Sequence, residues 1–454
     1  MAHIVFFTVG VTSGRLNSNY KLAHQLHQRE HRITFVSPYE PAGKQVTAQG
    51  FAFVCLEEEA ATLKAYEVQS QQLPKSRLRR AFYRTASIKL AAILWRYIVE
   101  SNETDRVIEQ LNPNLLLIEA ELYDHIIKSA KHNIPTLLLE HQCSSRKAPG
   151  VPILYSSMIP NGSVWSQVLA EASWKSTFLR RDLKSYLGRH YYQHKDWMSA
   201  IRSAAQRNNF SLEKYVDYRQ WHFLTYKHLP TLFLSAPEFD IPHEVAEPEY
   251  YVGPMVFLER EEPLTDPHYQ AVIQALDAKR AVNQTPRRLV YCAMGSIIAN
   301  TDYYQRVIDV FAEKPEWDLL VSVGRQTSMD DFRTVPSNVY ALQFVPQLDV
   351  LKRADLMLNH GGINTINECL LLGVPMIVNS GGVMDENGNA ARVAYHGLGV
   401  RGDLQQDSTA DIARNIERVL TNPQIKTNVQ KMQRTYMNYH QSDRAIKIIE
   451  GMLT

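Results

Sequence analysis

Short apolar runs alternate with helix-like stretches and begin afresh at residue 288, and this constrains the chain more than any other feature. In the first half, residues 3–9, 32–37, 115–118, 136–139 and 231–235 read as strands. Their near-continuous apolar character fits a parallel sheet covered on both faces. Asn17, Ser18 and Asn19 offer N-caps for a helix after the first strand. The second half repeats the theme with strand candidates at 288–293, 318–323, 339–344, 355–359 and 375–379. A length of 454 residues exceeds what one such core holds. The expected fold is therefore α/β, with two doubly wound Rossmann-like domains facing a central cleft. The expected boundaries are 1–240 for the first domain, 241–267 for a proline- and acid-rich linker, 268–430 for the second domain and 431–454 for a terminal helix. Ligands of such folds lie beyond the carboxyl ends of the strands.

Charge narrows the partners. Forty-nine basic and 47 acidic side chains leave a formal charge of +2, so no global basic field exists to hold nucleic acid, and none is expected as a partner. Cys55, Cys143, Cys292 and Cys369 show no paired spacing, which predicts neither a disulfide framework nor a structural zinc site. No apolar run approaches the roughly 20 residues that cross a bilayer. Residues 3–10 are apolar without a charged leader and read as a strand rather than a signal peptide, so the expected location is cytoplasmic. Residues 163–228 interrupt the rhythm as a helical insertion rich in aromatics (Trp165, Trp174, Tyr191, Tyr192, Trp197, Trp221) and bases (Arg180, Arg181, Lys184, Arg189). Two readings stand: aromatics packed inside with solvated charges, or an amphipathic cover over an apolar acceptor or membrane surface.

The densest pattern lies in the second half. Phe344-Val345-Pro346-Gln347 precedes His360-Gly361-Gly362-Ile363-Asn364-Thr365-Ile366-Asn367-Glu368, and Asp385-Glu386 follow. Asn359 closes an apolar strand, His360-Gly361-Gly362 makes a turn, and a helix starts near Ile363. Glycines let backbone approach an anion, and the helix's unpaired amides and positive dipole end favour a phosphate there. His360 and Thr365 add donors, and Glu368, one turn on, can accept from sugar hydroxyls. Met294-Gly295-Ser296 follows another strand and can face the same diphosphate. Gly397-Leu398-Gly399-Val400-Arg401-Gly402 fits a dinucleotide fingerprint, but no strand–turn–helix unit opens there.

This ordered series resembles the donor-binding signature of family 1 inverting UDP-sugar-dependent glycosyltransferases, which have the GT-B fold. The resemblance runs across nearly the whole chain. It implies an N-terminal acceptor-binding domain, a C-terminal nucleotide-sugar-binding domain and a last helix crossing back to the first domain. By position it implies that Phe344 stacks on uracil, Val345 reads the base edge through its backbone, and Gln347 lies beside it. His360, Asn364 and Thr365, with Gly14, Gly295, Ser296 and Gly362, would hold the diphosphate, Glu368 the ribose, and Asp385 and Glu386 the transferred sugar. The second of that last pair is commonly Gln in the family, which leaves the sugar open. UDP-glucose is the first choice of donor, as co-substrate, with no other cofactor. No Asp-x-Asp motif stands at a strand end, so metal independence is expected.

The first half departs from the family where its chemistry belongs. The residue after Gly14 is normally the His that takes the acceptor's proton; here it is Arg15, and a guanidinium accepts no proton at physiological pH. Glu119 occupies the position of the Asp that orients that His. An Arg15–Glu119 pair would be bidentate and would keep Glu119 ionised. Three interpretations follow: an acceptor that needs little deprotonation, Arg15 binding an anionic acceptor, or another base. His141, beyond the 136–139 strand, leads the third, against its plainer reading as a surface-loop histidine. The expected reaction is transfer of a hexose from a UDP-sugar to a small-molecule acceptor, apolar or anionic, with inversion. A non-catalytic sugar-nucleotide-binding homologue supporting a partner enzyme, or a sugar-nucleotide epimerase, are the alternatives.

Overall fold

The computed structural model describes residues 1–10, 13–74, 83–220, 225–260, 262, 266–282, 287–295, 301–324 and 327–453. Seven parallel strands form the first sheet: β1 (His3–Phe7), β2 (Arg32–Ser37), β3 (Ala52–Cys55), β4 (Leu115–Glu119), β5 (Thr136–Glu140), β6 (Thr231–Phe233) and β7 (Glu249–Tyr251), in the order β3-β2-β1-β4-β5-β6-β7. Six form the second: β8 (Arg288–Ala293), β9 (Trp317–Ser322), β10 (Val339–Leu342), β11 (Leu356–Asn359), β12 (Met376–Ser380) and β13 (Gly399–Asp403), in the order β10-β9-β8-β11-β12-β13. The order reverses beside β1 in one sheet and beside β8 in the other. At those points the loops diverge and leave a crevice. The fold is GT-B.

Alternation along β1 shows why both faces are covered. Ile4 and Phe6 enter one apolar cluster with Leu115 and Leu117, while Val5 and Phe7 enter another with Leu116 and Ile118. The first cluster also takes Ala445, Ile446 and Ile449 from the helix Arg444–Gly451, so the end of the chain packs on the first sheet. Lys21 reaches the same strap, with Nζ donating to the His440 carbonyl at 3.2 Å.

The 241–267 stretch, read as linker, contains β7, which pairs with β6 at Thr231–Glu249 and Phe233–Tyr251. The glycine-rich 397–402 stretch holds β13, where the lack of a Cβ at Gly399 admits the Met376 carbonyl. A buried ion pair fastens the two lobes: Arg392 Nε donates to Asp240 Oδ1 at 2.7 Å, and both side chains are 1% exposed. Gly388 lies against the Leu154 carbonyl, at a spot with no room for a Cβ.

The insertion is dominated by one helix, Val164–Tyr191, whose Ser163 side chain caps it. Trp174 is buried and donates from Nε1 to the Val151 carbonyl, whereas Trp165 stands outside. The expectation of aromatics packed inside thus holds for one of these two tryptophans only. Trp221 lies outside the described residues. Among the described residues, no helix is long and apolar enough to cross a membrane.

Candidate active site

On the second lobe, β11 ends at Asn359 and the chain turns through Gly361 at φ +102° into the helix Ile363–Leu372. Any side chain at Gly361 would meet Val378 Cγ1 at 2.9 Å and the Glu386 carbonyl oxygen at 3.0 Å. Asn389 donates to the Gly361 carbonyl and Asn359 accepts from the Gly361 amide, each at 2.9 Å. Gly362 is the N-cap, so the first amides of this helix face the crevice without intrahelical partners. The His360 ring packs against Gly295 and Gly362, where added Cβ atoms would each come within 2.8 Å of it. Burial lowers its pKa to about 4, so the imidazole is neutral, and its buried Nδ1 has no partner among the described residues. A neutral ring with an uncommitted nitrogen, a glycine turn and a helix N-terminus form a cradle suited to a diphosphate. Ser296 lies outside the described residues.

Glu368 is almost fully buried one turn into that helix. Its Oε1 accepts from Arg260 Nη1 and its Oε2 from Gln347 Nε2, both at 2.7 Å. The Gln347 amide reaches Thr365 Oγ1 at 3.5 Å, and the Gln347 backbone donates to Glu262 at 2.8 Å. Arg260 is held in turn by Glu262 at 2.8 Å. The segment between the lobes therefore lines the site. Val345 is buried, Phe344 half-buried, and the Phe344 carbonyl accepts from the Asp266 amide. Asp385 is bonded by Asn389 at 2.9 Å, and burial raises its pKa. Glu386 turns back on its own loop, accepting from the amides of Gly381 and Val383 at 3.0 and 3.2 Å. That oxygen is committed to backbone rather than offered to a sugar.

On the first lobe, Gly14 brings the helix Ser13–Gln28 to the opposite wall, where a Cβ would lie 3.2 Å from Asn364 Nδ2. Arg15 corrects the expected pairing. Its guanidinium forks onto Glu121 at 2.6 and 3.1 Å, with Glu119 only at 3.9 Å. The reason is local: Glu119 ends β4, and the Thr8 hydroxyl, the Val9 amide at 3.0 Å and Asn19 Nδ2 at 2.9 Å already fill its oxygens. Burial would raise the Glu119 pKa, but the neighbouring His141, the charge of Arg15 and the Thr8 hydroxyl outweigh it and hold the carboxylate at about 2.

His141 is buried, which overturns the surface-loop reading. Ser18 gives its proton to the Arg15 carbonyl, so His141 Nδ1, 3.0 Å from Ser18 Oγ, must be the donor there. Nε2 is screened from solvent 3.6 Å from Glu119. His141 sits against Glu119 with Nδ1 engaged by Ser18.

A recess between these groups is lined by Arg15, Glu119, Ala120, Glu121, Leu139, Glu140 and His141. Glu140 keeps a small opening onto it. Burial, then the charge of Glu121 and the more distant Asp385, raise its pKa to about 8 against the pull of Arg15 and the Gln142 amide. Gln142 Nε2 also donates to Glu121 at 3.2 Å. Glu121, Glu140, Arg260 and Glu262 escaped sequence reasoning. Glu140 had a usable signal, a carboxylate directly ending an apolar strand; Arg260 had none, its partner being 108 positions away.

Comparisons with known proteins bear on the fold and on part of the sequence. Residues 310–449 match the family described as erythromycin biosynthesis protein CIII-like, C-terminal domain. The chain is 27% identical over 173 residues to the NDP-glycosyltransferase YjiC of Bacillus subtilis, covering 38% of this chain and 44% of that one. It is 30% identical over 169 residues to the oleandomycin glycosyltransferase of Streptomyces antibioticus, covering 37% and 39%. These matches span less than half the length of either relative. The fold match is complete: the glycotransferase of kitacinnamycin superposes with a TM-score of 0.67 at 19% identity over 100% and 99% of the two chains. The glycosyltransferase VinC, solved with dTDP, gives 0.60 at 14% over 99% of each. The chain thus shares the GT-B fold along its whole length with these solved structures, and over about two fifths of its length it is similar in sequence to nucleotide-sugar glycosyltransferases.

Proposed function

We propose that the protein transfers a hexose from a UDP-sugar to the hydroxyl of a small-molecule acceptor, with inversion and without a metal ion. One observation supports the reading: Gly14, next to Arg15, lies against Asn364 of the helix that follows the glycine turn, and Arg15 shares a narrow recess with Glu140, a carboxyl of raised pKa. The diphosphate would lie on the amides at the start of the helix Ile363–Leu372, with His360, Asn364 and Thr365 as side-chain donors. Glu368, steadied by Arg260 and Gln347, would take the ribose hydroxyls, and Phe344 the base. Asp385 would hold the sugar.

Glu140 is the proton acceptor in this proposal. The acceptor oxygen attacks the anomeric carbon as its proton passes to the Glu140 carboxylate, the bond from that carbon to the diphosphate breaks, and UDP leaves. The negative charge growing on the diphosphate meets the helix dipole and the donors around it. Arg15 orients rather than deprotonates, because its guanidinium is held charged by Glu121. A carboxyl with pKa near the working pH suits this exchange.

The replacement of the expected His by Arg15 favours one other reading, a nucleotide-binding homologue without turnover. Two measurements separate them. Calorimetry should show UDP binding that weakens in His360→Ala and Glu368→Ala; unchanged affinity would remove the donor site. Mass spectrometry of acceptor extracts incubated with UDP-glucose should show a gain of one hexose; binding with no product over a broad panel would leave the homologue. Product from the UDP-sugar alone would indicate epimerisation.

A further inference from the structure

The helix Val164–Tyr191 has two apolar faces. One is inside, with Trp174 and Ala170 buried. At 100° per residue, Trp165, Leu169, Leu179, Leu183, Tyr186 and Leu187 fall within a single opposite stripe. All six are exposed, Trp165 by 78% and Leu179 by 70%. From Trp165 to Leu187 the stripe runs about 33 Å at 1.5 Å per residue. A soluble surface has no use for an apolar line of that length unless something covers it.

Charge identifies the cover. The helix holds five Lys and Arg against two acids. Exposed Lys175, Arg180 and Lys184 flank the stripe. Both acids are already engaged, Glu171 with Lys147 and Asp182 with Arg181, each at 2.8 Å. Pairing with a second copy through this face would bring the three cations no acid. Anionic headgroups would supply one for each, while the apolar stripe enters the acyl boundary and Trp165 and Tyr186, near its two ends, sit at headgroup level.

We infer that this stripe docks the protein on an anionic lipid surface, with the helix lying in the interface plane. The proposal does not depend on the sugar-transfer reading, since it uses no residue of the cleft. The test is co-sedimentation of the full chain with vesicles of phosphatidylcholine, with or without about one third phosphatidylglycerol. Binding is expected to the anionic vesicles, weakening as salt rises. Leu179→Glu/Leu183→Glu should lower it at least tenfold, roughly the effect of two charges placed in the acyl boundary, and Arg180→Glu/Lys184→Glu should remove its salt dependence. Both pairs are exposed, so thermal unfolding should be unchanged. As a second readout, brominated lipid should quench emission from the wild type more than from Trp165→Phe. Absence of binding, equal binding by the leucine variants, or quenching independent of Trp165 would overturn the inference. So would a dimer, seen by light scattering, that the leucine variants dissolve.

Discussion

Glu140→Gln tests the chemistry most directly, because it should remove activity and add stability in the same protein. The carboxyl rises from an ordinary 4.5 to about 8 in the folded chain. The unfolded chain releases that proton near 4.5, so between 4.5 and 8 the folded state binds more protons and loses stability as pH rises. At about 1.4 kcal/mol per pH unit, the full cost above pH 8 is at most about 5 kcal/mol. The charges of Glu121 and Asp385 contribute to it and rearrange on titration, so about 2–3 kcal/mol is a fair expectation. Gln keeps the shape, can still accept from the Gln142 amide and never ionises. The variant should therefore match the wild type at pH 5 and exceed it at pH 9 by several degrees in thermal unfolding. Loss of the proton acceptor should lower kcat/KM by about 100- to 10,000-fold and abolish the rise in rate toward pH 8. UDP binding should be unaffected. Equal stabilisation at pH 5 and pH 9 would show that the carboxyl does not titrate as argued, and activity within about tenfold with the same pH limb would remove it from the reaction.

Other perturbations probe the surrounding structure. Gly361→Ala forces a Cβ to 2.9 Å from Val378 Cγ1 at a φ of +102°, and should cost about 2–3 kcal/mol in unfolding experiments and weaken UDP binding in calorimetry. Arg392→Met leaves Asp240 buried and unpaired between the lobes, so unfolding should shift by about 3–5 kcal/mol; a shift below about 1 kcal/mol would deny the pair its fastening role. Glu119→Gln removes a carboxylate held at about 2 against an ordinary 4.5. Its stabilisation is present above 4.5 and lost as pH falls through 2, so the variant should be destabilised at pH 7 and indistinguishable at the acid end. Arg15→His should lower activity on any acceptor the wild type uses, because an imidazole cannot replace the forked contact with Glu121.

Legibility in the sequence followed burial. β1, β2, β4, β5, β8 and β11 are interior strands or run at full length beside them, and their apolar runs announce them. β3, β7 and β13 are missing from the sequence reading for a shared reason: each lies at a sheet edge, β3 and β13 have exposed or half-exposed positions, and β7 is three residues among prolines. An edge strand has one neighbour, so its composition is free to resemble a loop.

The cleft divides along the same physical line. The glycine turn at His360–Gly362 was readable because its demands are local: a positive φ at Gly361, close approach of Gly362 to the His360 ring, and a helix start, all written within a few residues. The proton-handling side was not, because protonation depends on which charges converge from separate strands. Substituting Arg15 for His reads at first as loss of a base. With Glu121, Glu119 and Glu140 in view, it is a redistribution: the guanidinium occupies Glu121, Glu119 is kept ionised by His141 and Thr8, and Glu140 is left nearly alone to hold a proton near pH 8. A fixed cation at position 15 stabilises that arrangement, since without it three carboxyl groups, Glu119, Glu121 and Glu140, would share one recess with no permanent countercharge. Arg15 and Glu140 are thus one feature of the site, and neither substitution is interpretable without the other.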